Sequence, residues 1–200
     1  MLPSWCAARF MSGYELQAAR QLDFTAYEDG LRAFCPLHRR EWVHHGTKHT
    51  RLFPMLIGYA FVELHRLDPF RWHDVASQKG FLGFIGGAIP DPIRPHLIER
   101  LIDGASAEWE ITLDPREEDA PTFNRGDLFR VRGGPCESLR GHIEWVEPNG
   151  REAWVTLQGL FNRGSHTKID LALLDPLERP RRKKPFTLAD LPVREMQVGA

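Results

Sequence analysis

The stretch that most constrains the fold of this chain lies at residues 123–170, where short alternating runs are separated by turns. Polar and apolar residues alternate over 128–132 and 142–147, and a third run follows at 154–157. Turns containing glycine and proline separate the runs, a pattern typical of an antiparallel β unit. A unit of about 50 residues has only a thin core, so we expect a small barrel or sandwich. Gly141, inside one run, predicts a bulge or a close backbone approach.

The residues before this unit predict an α+β domain over residues 1–104. Strands and helices alternate, and a polar hairpin occupies the middle of the series. The predicted strands and helices lie at residues 5–10, 14–22, 34–37, 40–44, 48–53, 59–64, 69–77, 81–85 and 93–102. This order favours helices packed on one sheet, as in an α+β sandwich.

Two further segments differ in charge from the rest of the chain. Residues 105–122 hold six acids against one arginine, without periodicity, which predicts an extended and solvated linker. Residues 179–200 hold six bases against two acids and form a basic tail. The expected organisation is therefore a domain at 1–104, a linker at 105–122, a β domain at 123–178 and the tail. The tail either contacts nucleic acid or stays solvated. The four bases considered for that contact are Arg181, Arg182, Lys183 and Lys184.

Composition limits where the protein is expected to work. The formal net charge of −1 argues against a protein that binds nucleic acid mainly by bulk electrostatics. Three cysteines without framework spacing favour a reducing cytosol over export. No apolar run approaches the ~20 residues that span a bilayer, and the start of the chain lacks a signal-peptide pattern. We expect a cytoplasmic monomer without membrane contact.

Zinc binding, phosphate binding and catalysis each have a simpler alternative or lack the residues that they need. The residues Cys35, His38, His44, His45 and His49 are zinc-ligand types, but their spacing fits no established pattern and a solvated hairpin explains them. Glycines at 80–87 lack the strand, loop and helix order of a phosphate loop. No nucleophile with a positioned base is recognisable. The sequence therefore predicts a non-enzymatic protein without cofactor or metal.

Several motifs, taken together, resemble the NusG family. Gly134-Pro135, Gly141 and the segment 160–170 resemble a KOW domain, with Asn162 replacing the usual glycine. In the first half, residues 54–62 are similar to the family's Pro-Leu-Phe-Pro-Gly-Tyr-Val-Phe-Val, with Ile57 replacing its second proline. Trp5-Cys6-Ala7, Ser12-Gly13-Tyr14-Glu15, Trp72-His73-Asp74-Val75 and Gly83-Phe84-Ile85-Gly86-Gly87 also match family motifs. The resemblance covers roughly residues 5–177.

The resemblance implies a fold and a function. The fold is a ferredoxin-like α/β sandwich joined by a linker to a small SH3-like barrel, the KOW domain. The function is transcription elongation or antitermination: the first domain closes across the RNA polymerase cleft and suppresses pausing, while the second reaches another partner. Polymerase would contact the first domain through its clamp helices and gate loop, at Leu56, Tyr59, Phe61, Trp72, His73 and Phe84. Rho or a small-subunit ribosomal protein would contact Phe161 and Arg163.

Alternatives stay open at this point. The strand at 59–64 is apolar on both faces, so Tyr59 and Phe61 either dock a partner or lie in the core. Phe161 either contacts a partner or fills the barrel. The rival function is a KOW-type RNA-binding protein of ribosome or RNA processing, which seven bases against eight acids in 123–178 disfavour. Independent domains predict first cleavage by protease within 105–122. Tightly packed halves would instead favour a closed, autoinhibited form like that of the RfaH subgroup.

Overall fold

The computed structural model describes residues 4–29, 32–64, 69–112, 121–132, 139–158, 160 and 166–177. These described ranges contain three α-helices, a four-stranded sheet, a five-stranded sheet and a two-stranded hairpin. Within the described ranges, no helix is both long and apolar enough to cross a membrane.

The first sheet belongs to residues 4–111, which we call the N-terminal unit. The elements of the unit are β1 (Ser4–Phe10), α1 (Glu15–Asp29), β2 (Ala33–Phe34), β3 (Leu37–His44), β4 (Thr47–Pro54), β5 (Tyr59–Leu64), α2 (Pro69–Ala76), β6 (Phe81–Phe84) and α3 (Pro95–Asp103). The strands of its sheet lie in the order β2-β5-β1-β6, and neighbouring strands are antiparallel. Strands β3 and β4 form a separate hairpin that pairs Leu37 with Pro54 and His44 with Thr47. Most of these bounds agree with the prediction, but α1 continues to Asp29, and the strand predicted at 34–37 is divided between β2 and the start of β3.

Period-two alternation gives this sheet two different apolar faces. One face packs against α1 and α2, and its central strands contribute small and aliphatic residues such as Ala8, Ala60 and Val62, with the ring of Phe10 at one end. The other face packs against α3 and carries large rings, among them Trp5 and Phe61. Both faces of β5 are covered, which explains why all its residues except Glu63 are apolar.

The first residues of the predicted linker, 105–111, pack against the N-terminal unit. Residues 105–111 fold back on the N-terminal unit: Leu37 donates its amide to the Trp109 carbonyl, and Ile111 donates to the Leu37 carbonyl. The Ile111 side chain is buried, and the Trp109 ring lies 5.9 Å from the ring of Phe34. The packing of Trp109 and Ile111 was not predicted, because the segment around them is acidic and has no periodic pattern of apolar residues. Residues 113–120 lie outside the described part of the chain.

The five-stranded sheet belongs to residues 121–177, which we call the C-terminal unit. Its strands are β7 (Leu128–Val131), β8 (Arg140–Val146), β9 (Glu152–Gln158), β10 (His166–Asp170) and β11 (Leu174–Pro176), and a 3-10 turn lies at Leu171–Leu173. They lie in the order β10-β9-β8-β7-β11, and neighbouring strands are antiparallel. The close approach predicted at Gly141 is confirmed, since a Cβ there would collide with the carbonyl oxygen of Thr156.

The two units pack against each other rather than standing apart. One buried apolar cluster contains side chains of both, including Leu56 and Phe61 from the first and Val131 and Ile169 from the second. Ile57 forms an antiparallel bridge with Lys168 of β10. The expectation of independent halves therefore does not describe this arrangement, because the large-ring face of the first sheet supplies an apolar surface that the second unit covers.

Candidate functional site

The candidate site is the part of the N-terminal unit that the C-terminal unit covers, which we call the covered face. Its apolar residues come from β5 and from the segment just before it. Met55, Leu56, Tyr59 and Phe61 are all at most 5% exposed. The segment 55–58 can approach the second unit because Gly58 has φ of +83°, a conformation that favours glycine and turns the chain into β5.

Apolar side chains of the C-terminal unit lie directly on this face. Val131, Leu139 and Ile169 line one small void together with Met55 and Leu56. Pro36 and Leu101 complete the lining of this void. The contact is therefore a packed apolar interface between the two sheets.

Backbone and hydroxyl hydrogen bonds border the apolar contact. The Tyr59 hydroxyl donates to the carbonyl of His166 at 2.8 Å, and the Ile57 amide donates to the carbonyl of Lys168 at 3.2 Å. The Thr167 hydroxyl donates to the carbonyl of Ile57 at 3.4 Å. Burial raises the pKa of the Tyr59 hydroxyl, which keeps it a proton donor at neutral pH. These bonds fix β10 in register with residues 57–59.

Opposite charges also meet across the boundary. Arg40 of the hairpin lies 3.7 Å from Glu152 and 3.7 Å from Asp170 of the C-terminal unit. The neighbouring Arg39 instead forms a two-pronged contact with Glu110, at 2.7 Å for both bonds, within its own unit. That contact lowers the pKa of Glu110 through the hydrogen bond from Arg39. Of these two adjacent arginines, Arg40 therefore pairs with the C-terminal unit and Arg39 with its own unit.

The other predicted polymerase-contact residues lie apart from the covered face. Trp72 of α2 and Phe84 of β6 pack on the helix-covered side of the sheet, with ring centres 5.9 Å apart. His73 is exposed on α2. The structure therefore brings Leu56, Tyr59 and Phe61 together and places Trp72, His73 and Phe84 in a second group.

The remaining predicted site residues cannot be placed. Phe161, Arg163 and the basic residues Arg181, Arg182, Lys183 and Lys184 lie outside the described residues. Sequence reasoning, conversely, missed Ile57 and Arg40 as contact residues. Ile57 was noted only as a departure from the family motif, and no local pattern marks Arg40, because its partners come from a distant part of the chain.

The histidine-rich hairpin shows aromatic contacts. Trp42 stacks on His49 with ring centres 5.6 Å apart, and the rings of His44 and His45 are 4.1 Å apart. Cys35 is buried beneath the sheet, and burial raises the pKa of its thiol. Among the described residues, no group of three or more His, Cys, Asp and Glu side chains is placed to hold a metal ion.

Comparison with known proteins assigns the chain to a family. The family model described as "Transcription termination factor nusG" matches residues 3–102. The transcription termination/antitermination protein NusG of Borreliella burgdorferi is 22% identical over 88% of this chain and all of its own length. The protein of that name from Escherichia coli K12 is 26% identical over 62% of this chain and 65% of its own. A solved structure of Thermotoga maritima NusG is 22% identical, with a TM-score of 0.44, over 88% of this chain and 98% of that one. The family model alone matches half of the sequence, and the chain belongs to the NusG family of transcription termination and antitermination factors.

Proposed function

We propose that the chain is a transcription elongation or antitermination factor that binds RNA polymerase through the covered face, and that the described arrangement is its closed form. The observation that carries this proposal is an aromatic and aliphatic sheet face that a separate unit covers in part. The polymerase element expected to replace that cover is the pair of clamp helices, since a helix in an apolar groove is a common recognition mode.

The chemistry of the covered face supports an exchange of partners. Large rings such as Tyr59 and Phe61 are common anchors at protein interfaces. The C-terminal unit forms a sheet of its own, so its separation would not break the first sheet. Polymerase would then bind only the open fraction of molecules, and closure would lower its apparent affinity.

The remaining contacts complete the proposed mechanism. Trp72, His73 and Phe84, on the other side of the sheet, would face the polymerase gate loop. Phe161 and Arg163 would bind Rho or a small-subunit ribosomal protein once the C-terminal unit is released, and the basic tail would contact nucleic acid. The strand order β2-β5-β1-β6 supports a ferredoxin-like N-terminal domain. The short five-stranded antiparallel sheet supports an SH3-like KOW barrel.

Titration of purified RNA polymerase with two charge variants tests the docking surface. Leu56→Asp places a carboxylate on the covered face, and we expect it to weaken polymerase binding at least about thirtyfold, the loss of one interface anchor. Val43→Asp, on an exposed hairpin residue, is the matched control and should bind as the wild type does. A folded Leu56→Asp protein that binds with wild-type affinity would refute the proposal.

One observation keeps an RNA-binding function as a second candidate. Trp145 is 47% exposed and stacks on Trp154, with ring centres 5.1 Å apart, and the Lys168 amine lies 5.3 Å from the Trp154 ring centre. Aromatic stacks beside cations can hold unpaired bases. However, Glu147 accepts from both Trp154 and Lys168, and this carboxylate would repel a phosphate backbone. Binding of a single-stranded RNA that Trp145→Ala abolishes would favour this function over the first.

A further inference from the structure

A cleft between the two units borders the covered face at Ile57 and Tyr59 and extends beyond it. It has a volume of about 580 Å³, which lies in the range of small-molecule sites. Arg9 and Arg51 of the N-terminal unit line it, and Trp154 and Lys168 of the C-terminal unit line it from the other side. Both units therefore contribute to one cavity.

The carboxylates of this cleft are already bound by protein groups. Glu15 accepts the amides of Gly13 at 2.6 Å and Gly58 at 3.2 Å, so both of its oxygens already have a donor. Glu152 and Asp170 both lie within ion-pair distance of Arg40. The charged residues that line the cleft are four cations, Arg9, Arg40, Arg51 and Lys168, against these three carboxylates.

Two cations of the cleft are different, because neither forms an ion pair with a described residue. Arg9 and Arg51 are both exposed to solvent. The Arg51 guanidinium lies 5.6 Å from the ring centre of Phe53. Arg9 lies close enough to Tyr59 that its charge opposes the rise in the pKa of Tyr59 that burial causes. The cleft thus presents unneutralised positive charge.

Apolar side chains line another part of the same cleft. Met11 and Leu82 are large, more than half exposed, and both belong to its lining. The buried His38 also lines it, and burial lowers the pKa of its imidazole, which is therefore neutral at pH 7. A ligand that fits such a cavity combines a multivalent anionic group with a flat, weakly polar group.

We propose that this cleft binds a nucleotide, with its phosphates on Arg9 and Arg51 and its base against the apolar lining near Met11 and Leu82. Guanidinium groups suit this role because they form paired hydrogen bonds to phosphate oxygens. Since Trp154 and Lys168 belong to the other unit, a bound nucleotide stabilises the closed arrangement over the open one. If the proposed function holds, nucleotide and polymerase therefore oppose each other, because the closed arrangement forms the walls of this site and polymerase docking requires the open one.

Calorimetric titration of the full chain at constant ionic strength tests the site with ATP, pyrophosphate and adenosine as probes. We expect ATP to bind most tightly, pyrophosphate more weakly and adenosine weakest. Arg9→Gln and Arg51→Gln should each weaken ATP binding about tenfold, the loss of one charge-assisted contact. Arg125→Gln removes the same charge from an exposed turn residue outside the cleft and should leave the affinity unchanged.

A second readout separates a ligand in the cleft from one bound elsewhere. The Ile57 amide is bonded to the Lys168 carbonyl across the two units, so its hydrogen exchange reports opening. ATP at ten times its Kd should slow this exchange about tenfold. If Arg9→Gln fails to fold, Arg51→Gln, at an exposed hairpin residue of the same cleft, provides the test. The proposal is wrong if millimolar ATP does not bind, if all three Gln variants bind it equally, if Ile57 exchange is unchanged, or if a single-stranded oligonucleotide binds more tightly than ATP through Arg9 and Arg51.

Discussion

The two faces of the first sheet are buried in different ways. The face under α1 and α2 carries small and aliphatic residues such as Ala8, Ala60 and Val62, which let helices of the same unit pack closely. The opposite face carries Trp5, Tyr59 and Phe61, and part of its cover is the C-terminal unit. A face covered by local helices can be exposed only by unfolding. A face covered by a distant unit can be exposed by separation of two folded parts.

This difference separates the stability of the N-terminal unit against unfolding from the stability of the closed arrangement against opening. Loss of packing on the helix side should lower the free energy of unfolding of the N-terminal unit. Loss of a contact on the covered face should change the ratio of open to closed molecules and leave the N-terminal unit folded. The predictions below separate these effects, beginning with the largest.

Leu22→Ala should have the largest effect, because Leu22 of α1 is buried against the helix side of the sheet. Removing a buried leucine side chain typically lowers the free energy of unfolding by about 2–5 kcal/mol. Urea unfolding followed by circular dichroism measures this loss. A decrease below about 1 kcal/mol would mean that this face is not the permanent core that the comparison requires.

Tyr59→Phe should act on closure with a smaller effect. The variant keeps the ring but removes the hydrogen bond to the His166 carbonyl, a contact that contributes about 1 kcal/mol. We expect the Ile57 amide to exchange about fivefold faster. The amide of Glu63, bonded to the Arg32 carbonyl within the N-terminal unit, is the internal control and should not change. Equal acceleration at both amides would indicate unfolding rather than opening.

The Tyr59→Phe variant also tests whether opening controls the affinity for polymerase. If polymerase selects the open form, a larger open fraction raises the apparent affinity in proportion, up to about fivefold, while the docking ring is still present. Titration of polymerase with wild-type and Tyr59→Phe proteins measures this change. A lower affinity would mean that the hydroxyl itself contacts polymerase, or that the closed form binds.

Arg40→Gln should have the smallest effect, because the Arg40 side chain is partly exposed and its ion pairs with Glu152 and Asp170 are long. Such pairs contribute up to about 1 kcal/mol and weaken with salt. We expect Ile57 exchange to accelerate severalfold at low salt and little at high salt. Arg39→Gln is the matched control, since Arg39 pairs with Glu110 in its own unit, and Ile57 exchange should stay at the wild-type rate.

Much of the fold could be predicted from local patterns. The strand predicted at 59–64 is β5 with the same bounds, because its bulky alternating residues lie between turn signals. Local pattern could not show which side of β5 would pack against the helices and which against the C-terminal unit, since both sides are apolar. The packing of Trp109 and Ile111 was missed because two apolar residues in an acidic segment give no periodic signal.

The candidate site was predictable only in part, for a related reason. Leu56, Tyr59 and Phe61 were found through the family motif, and the structure places them together. Their burial under the C-terminal unit depends on contacts more than a hundred residues apart in sequence, such as Tyr59 with His166. Arg40 and the cleft between the units arise from the same long-range packing, which no single stretch of sequence encodes.

A reversible covalent lock tests the central claim, that polymerase binds the covered face only after the units separate. Ile57 and Lys168 form an antiparallel bridge, and paired Cα atoms there lie about 4.5–5.5 Å apart, within the range of a disulfide. We would measure polymerase binding by Ile57→Cys/Lys168→Cys, in a Cys136→Ser background, before and after reduction, with each single Cys variant as a control. We expect the oxidised protein to lose polymerase binding and the reduced protein to regain it, while the single variants bind throughout. Wild-type affinity in the oxidised, locked protein would contradict the account.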